Sequence, residues 1–329
     1  MKRLAIIGGG AWGTALALAA RRAGSDTTIW ARDPAIAAAI NERHENPVYL
    51  PGVTLDPDIA ATTGLDHATA DAEAALLSVP AQFLRDVLTA LAAHLSMSLP
   101  LLLCAKGIET GSLMTMSELT AELFPQSPVA ILSGPSFAAE VARDLPTAVV
   151  IASRDPALAE RFTASLGSAR FRPYLSEDPI GVELGGAIKN VLAIACGIVD
   201  GRRLGDNARA ALITRGLAEM TRLGVAKGAR AETFAGLSGL GDLVLTCGGT
   251  QSRNHALGLA LGQGLTLEAA LAGRRSVVEG IATAASVTAL ATRLGVEMPI
   301  ASAVEAVLHR GMPIDLMIEQ LLSRPRRAE

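Results

Sequence analysis

The chain has 329 residues, half of them hydrophobic but only 3% aromatic, with 29 basic and 32 acidic side chains and a net charge of −3. That length allows two domains with real cores, and the near-balanced charge argues against a nucleic-acid surface, so an anionic ligand must be met by a local cluster of cations. No run of eighteen apolar residues reads as a membrane span, and the three cysteines, Cys104, Cys196 and Cys247, are too widely spaced for a metal site.

The first element is a short strand, Leu4–Ile7, that ends in Gly8-x-Gly10-x-x-Gly13 and runs through Ala11 and Trp12 into an alanine- and leucine-rich helical pattern. Strand, glycine turn and helix in that order form the dinucleotide-binding fingerprint. Gly8 permits the tight turn, Gly10 lets a pyrophosphate approach the backbone, and Gly13 lets helix and strand pack closely. The pyrophosphate then sits on unpaired N–H groups at the helix N-terminus. Lys2-Arg3 ahead of the uncharged stretch to Ala20 has the outline of an export signal, but the glycines break its apolar core. A cytoplasmic, reduced location is the expectation.

The second strand, Thr27–Trp30, leads into Ala31-Arg32-Asp33-Pro34. NAD-selective folds place an acidic residue at this strand end to bind the ribose. Here Arg32 is the nearest charge, and a guanidinium there stacks on adenine or pairs with a 2′-phosphate. Asp33 either reaches the ribose or caps the next helix. The balance favours use of both NAD and NADP.

Further apolar runs follow at Ala74–Val79, Leu99–Cys104, Val129–Leu132, Ala148–Ala152 and Phe171–Leu175, with helical segments such as Ala81–Leu95 and Pro156–Leu166 between them. This rhythm predicts an α/β fold with a doubly wound, mostly parallel Rossmann-type sheet in residues 1–179. From Ile180 the strand signals cease. Helical patterns at 180–200, 206–223, 254–261, 281–294, 302–308 and 313–321 predict an all-α domain over residues 180–329, with 324–329 a frayed tail. Asp206 is the expected N-cap and Gly224 the expected C-cap of the second of these helices.

Several residues stand out chemically. Lys189, in the apolar helical run around Gly185-Gly186 and Asn190, is costly unless paired or used; a desolvated lysine has a lowered pKa and can move a proton at neutral pH. Lys106 follows a buried strand at its C-terminal end, where open α/β sheets bind ligands. Gly134 and Ser136 follow the next strand in the same way. Ser252-Arg253-Asn254 leads into a helix with the donors that a phosphate wants. Asp242 alone reads as a helix cap, and His255 is the rival general base. Cys104 and Cys196 read as core; Cys247, in a polar stretch, reads as packing with a nucleophile as the alternative.

Taken in order, these segments resemble the bacterial-type NAD(P)-dependent glycerol-3-phosphate dehydrogenase family. The matching stretches are the glycine turn, Tyr49-Leu-Pro-Gly52, Lys106-Gly-Ile-Glu109, Gly134-Pro-Ser-Phe-Ala-Ala-Glu140, Ala187-Ile-Lys189-Asn190, Gly239-Leu-Gly-Asp242 and Ser252-Arg-Asn254, from residue 4 to roughly 315. One departure is Ala11, where the family often has serine. The resemblance implies that Lys189 is the proton donor and acceptor and Lys106 its electrostatic partner. It implies substrate contacts at Lys106, Gly134, Ser136, Lys189, Asp242, Ser252, Arg253 and Asn254. It implies cofactor contacts at Gly8, Gly10, Ala11, Trp12, Gly13, Arg32, Lys106, Ala138, Arg253, Val277 and Glu279. The cofactor would be NAD or NADP, the substrate a small phosphorylated molecule, and no metal is called for. A homodimer stays open. So do two other readings: a β-hydroxyacid or ketopantoate-type dehydrogenase, and a non-catalytic nucleotide sensor.

Overall fold

A computed structural model of the chain describes residues 1–274 and 276–325. Residues 3–176 build an eight-stranded sheet: β1 (Arg3–Ile7), β2 (Asp26–Trp30), β3 (Ala60–Thr62), β4 (Ala74–Leu77), β5 (Leu101–Leu103), β6 (Val129–Ser133), β7 (Thr147–Ala152) and β8 (Phe171–Ser176). Their order is β8-β7-β6-β5-β4-β1-β2-β3. The central strands β4 and β5 are fully buried, as parallel strands covered on both faces must be. The order reverses between β1 and β4, and this opens the ligand crevice beyond their C-terminal ends. One pair, β6 with β7, is antiparallel. The link between them carries only the five-residue helix Ala138–Ala142, too little for a crossover along the sheet. Strand β8 lies at the edge, where Pro173 removes no needed ladder bond.

Two elements escape the sequence pattern. Strand β3 is three residues long, and Glu45–Asn46 pairs antiparallel with Leu50–Thr54 in a separate hairpin. Asn46, fully buried, donates from Nδ2 to the Gly9 carbonyl at 3.0 Å and to Thr14 Oγ1 at 2.9 Å, tying that hairpin under the glycine turn.

From Pro179 onward the described residues form helices. The central one, Pro179–Gly201, starts at Asp178, whose Oδ1 accepts the Gly181 N–H at 3.0 Å. Its length and composition would suit a membrane span, yet its most apolar stretch is wholly buried inside the protein. Helices Asp206–Ala226, Asp242–Gly248, Arg253–Gly262, Glu279–Arg293 and Pro299–Arg310 surround it. The Arg253–Gly262 helix approaches so closely that a Cβ on Gly258 would lie 2.0 Å from the Ile194 carbonyl, and one on Gly197 2.1 Å from the His255 carbonyl.

Three local expectations are corrected. Gly205, not Asp206, is the N-cap of the Asp206–Ala226 helix. Gly224 lies inside that helix rather than at its cap, and glycine is needed there because the Phe234 ring fills the space where a side chain would go. Cys247 sits on the Asp242–Gly248 helix, fully buried against Cys196, and its thiol is raised well above the usual range by that contact and by burial. A buried thiol of that kind is inert, which excludes the nucleophile reading. Of the expected tail, Arg324 instead pairs with Glu297 at 3.1 Å, and residues 326–329 lie outside the described residues.

The glycine seam generates a stability prediction. Gly258→Ala must push backbone against backbone, so it is expected to cost about 3 kcal/mol or more in chemical denaturation. An unchanged midpoint would contradict the seam.

Candidate active site

Three side chains from both halves of the chain converge on one buried carboxylate. Lys106 comes from the loop after β5, Lys189 from the middle of the Pro179–Gly201 helix, and Asp242 from the start of the Asp242–Gly248 helix. Asp242 Oδ2 accepts from Lys106 Nζ at 2.8 Å, and its Oδ1 accepts from Lys189 Nζ. Lys106 also donates to the Gly134 carbonyl at 3.1 Å, and Lys189 to Thr246 Oγ1 at 3.0 Å. The Asp242 side chain is 1% exposed.

Local sequence explains the convergence. Residues Leu237–Gly241 form a π-helical turn that delivers Asp242. That turn can press on the central helix because a Cβ on Gly185 would meet the Ser238 carbonyl at 2.4 Å. Gly186 likewise leaves space for Ser133 Oγ and the Lys106 stem. Both members of the Gly185-Gly186 pair therefore serve close approach.

Electrostatics follow from burial and the sharing of one anion by two cations. Burial lowers the Lys189 pKa, the Asp242 charge partly restores it, and Lys106 lowers it again, leaving it at about 7. Burial alone would raise the Asp242 carboxyl, but the two ammonium groups outweigh it and hold it below the usual carboxylate range. Glu279 is pushed up to about 7 by burial against the opposing pull of Arg253.

The glycine turn faces the same crevice. Gly8 has φ +126°, a conformation that favours glycine, and a Cβ on Gly13 would lie 1.9 Å from the Gly8 carbonyl. The helix Ala11–Arg22 has Gly10 as N-cap, with no side chain capping it and no acidic residue in its first turn. A Cβ on Gly10 would meet nothing within 4 Å. Free N–H donors with open space above them fit a dinucleotide pyrophosphate. Ala11, Trp12 and Ala138 pack against the sheet-domain core beside this turn, and Trp12 Nε1 is buried without a partner among the described residues.

The remaining expected residues are placed unevenly. Arg32 is exposed directly after β2 and makes no hydrogen bond or ion pair among the described residues. Asp33 caps the following helix, accepting from the Ala35 N–H at 2.9 Å. Ser136 Oγ donates to the Gly134 carbonyl at 2.9 Å. Arg253 is exposed and likewise unpaired among the described residues. Its neighbours also serve the fold. Ser252 Oγ accepts the His255 N–H at 3.2 Å as a helix cap. Asn254 Nδ2 donates to Asn190 Oδ1 at 2.9 Å, and its Oδ1 accepts the Gly280 N–H at 3.0 Å. Val277 is 41% exposed, and Glu279 Oε1 accepts the Ala81 N–H at 3.3 Å across the crevice. His255 points away from the lysines to Asp200, at 2.8 Å. Neither the Thr246 contact nor the amide chain from Asn190 through Asn254 to Gly280 carries a local sequence signal. Among the described residues no cluster of His, Cys, Asp and Glu could hold a metal ion.

Comparison with known proteins gives this geometry its family. Residues 3–159 match the family model for the NAD-dependent glycerol-3-phosphate dehydrogenase N-terminus, and residues 178–319 match that for its C-terminus. The chain belongs to the NAD-dependent glycerol-3-phosphate dehydrogenase family. It is 57% identical over 99% of its length to the glycerol-3-phosphate dehydrogenase [NAD(P)+] of Rhodospirillum rubrum, covering 93% of that protein. It is 56% identical to the protein of that name from Caulobacter vibrioides, covering 100% of this chain and 99% of the other. Among solved structures, glycerol-3-phosphate dehydrogenase from Coxiella burnetii superposes with a TM-score of 0.94 at 40% identity, over 98% and 99% of the two chains. A ketopantoate reductase from Ralstonia eutropha, at 16% identity and TM-score 0.58 over 97% and 99%, shares the fold alone.

The shared carboxylate makes a specific titration prediction. Lys189 should titrate near pH 7, read by NMR of isotopically methylated lysines. Asp242→Asn removes the charge that holds the ammonium form, so the midpoint should fall by about 1–3 pH units. A rise would overturn the electrostatic reading.

Proposed function

We propose that this chain catalyses the reversible NAD(P)-dependent interconversion of sn-glycerol 3-phosphate and dihydroxyacetone phosphate, with Lys189 as the acid–base group. Supporting this most directly is the buried Lys106–Asp242–Lys189 cluster beside the glycine turn, in a chain of this family. The division of labour we propose is a dinucleotide-binding domain, residues 1–179, and a helical substrate-binding domain, residues 180–329. When bound, the dinucleotide supplies or takes up the hydride.

The chain's own residues then do three things. Lys189, poised near pH 7, gives a proton to the substrate's C2 oxygen in ketone reduction and takes it back in alcohol oxidation. The Lys106 ammonium, aimed at the same carboxylate, faces the negative charge that develops on that oxygen. Arg253, an exposed guanidinium at a helix N-terminus, holds the phosphate, and that remote contact orients the reacting carbon. Asn254 and Ser252 beside it fix the helix that presents Arg253 and keep an N–H and an O–H to offer the phosphate. Asp242, with both oxygens taken by lysines, positions them rather than gripping the substrate. Arg32, unpaired after β2, suits either an adenosine ribose or a 2′-phosphate, hence both cofactors. A cytoplasmic location, a role in supplying glycerophospholipid synthesis and a homodimeric assembly complete the reading.

Steady-state assays with dihydroxyacetone phosphate, run in parallel with NADH and NADPH, test it. Ketone reduction needs protonated Lys189, so its rate should fall as pH rises through about 7, and alcohol oxidation should do the reverse. Lys189→Ala should lower kcat about 10²–10⁴-fold. Arg253→Ala should lower kcat/KM roughly 10–100-fold through KM. Strong preference for a non-phosphorylated ketoacid, or wild-type turnover by Lys189→Ala, would defeat the proposal.

A further inference from the structure

Lys106 stands near the start of a loop that joins β5 to the helix Met116–Leu123, and a loop of that length fixes an ammonium only if it is tied down. The ties come from a short helical stretch beginning at Ala81. Gln82 Nε2 donates to the Ile108 carbonyl at 2.8 Å, and its Oε1 accepts the Thr110 N–H at 2.9 Å. Ile108 itself is fully buried in the core of the helical half. Between these ties lies Glu109. Arg85 Nε donates to Glu109 Oε1 at 2.7 Å and Arg85 Nη2 to Glu109 Oε2 at 2.9 Å, a two-pronged pair, while Ser112 Oγ also donates to Oε2. The Glu109 side chain is 13% exposed. The remaining prong, Arg85 Nη1, reaches Glu122 Oε1 at 2.7 Å, on the helix that follows the loop. One guanidinium thus pins the loop and the element after it to the Leu84–Leu91 helix.

We propose that Glu109, clamped by Arg85, is a positioning residue that holds Lys106 on Asp242 beside Lys189; this rests on the assignment of those lysines given above. Two-pronged guanidinium–carboxylate pairs carry geometric specificity that single surface pairs lack. No substrate contact is needed for the effect. Glu109 lies three positions from Lys106, and Gly107 between them is flush with Ala81, whose Cβ would meet a Gly107 Cβ at 2.5 Å. Freeing Glu109 leaves the loop on the Gln82 ties and on the bond from Asn190 Nδ2 to the Lys106 carbonyl at 3.5 Å, and removes the ionic part of its anchorage, so that Lys106 is held less firmly. Lys189 is faced by Asp242, Thr246 and Cys247 from one helix, by Glu279 from another and by Lys106 from this loop. Only Lys106 in that set is a cation acting on Lys189, and its departure raises the Lys189 midpoint.

The test uses the full-length protein with Glu109→Gln, Arg85→Lys and, as a comparison, Glu122→Gln. Glu122 shares Arg85 but lies on the surface and does not touch the loop. Expected for Glu109→Gln is an upward shift of the Lys189 midpoint by NMR titration. In turnover, kcat for ketone reduction should drop roughly tenfold, and the alkaline limb should move to higher pH. Arg85→Lys, which keeps the charge but one prong at most, should give a smaller shift of the same sign and serves if Glu109→Gln does not fold. Glu122→Gln should leave the Lys189 midpoint in place. An unmoved midpoint in both Glu109→Gln and Arg85→Lys, or an equal shift in Glu122→Gln, overturns the clamp. Because the titration needs no turnover, it decides the clamp even if wild-type protein fails to reduce dihydroxyacetone phosphate, a failure that would count against the function instead.

Discussion

A carboxylate withdrawn from water is costly unless both oxygens find charged partners, and Asp242 finds them in two lysines contributed by opposite halves of the chain. Everything at the site depends on that sharing. One negative charge cannot fully satisfy two ammonium groups, so the more deeply buried of them, Lys189, gives up its proton most readily. The same anion stitches the sheet-bearing half to the helical half, because Lys106 and Lys189 can meet it together only when the crevice has its observed shape. Proton chemistry and domain packing are thus consequences of a single ionic contact.

Glycine makes the contact reachable. Gly185 lets a π-helical turn settle on the central helix and carry Asp242 down to Lys189, and Gly186 opens room for Lys106. Further along, Gly197 and Gly258 bring the Arg253–Gly262 helix into backbone contact with the same central helix. The amide chain Asn190–Asn254–Gly280 then locks three helix segments in register around the site. Side chains without catalytic chemistry of their own thus fix where the lysines and Arg253 stand.

Much of this is legible in the sequence, and what is not follows a pattern. The glycine turn, the alternation of strands and helices and the lysine inside an apolar helix are local signals, readable from spacing alone. Long-range pairings are not local. Nothing near Asp242 in sequence announces two lysines 53 and 136 positions away. Ser252 and Asn254 suit a phosphate by residue type, but that the Ser252 oxygen also caps a helix and that Asn254 also reaches Asn190 is visible only in the fold. Gly224 resembles a helix stop until Phe234, ten positions on in sequence, is seen to occupy its missing side chain. Strand β3, three residues at a sheet edge, is too short for its period to register.

The aromatic poverty of the chain has a practical side. Its two tryptophans both stand on the sheet-bearing half: Trp12 in the first turn after the glycines, and Trp30 at the end of β2, with its Nε1 donating to the Thr63 carbonyl at 2.9 Å. The helical half carries none. Intrinsic tryptophan emission from this protein is therefore a built-in optical probe of the glycine turn and the C-terminal ends of β1 and β2. It will register events at the glycine turn, while the helical half, Lys189 and Arg253 included, stays dark to it.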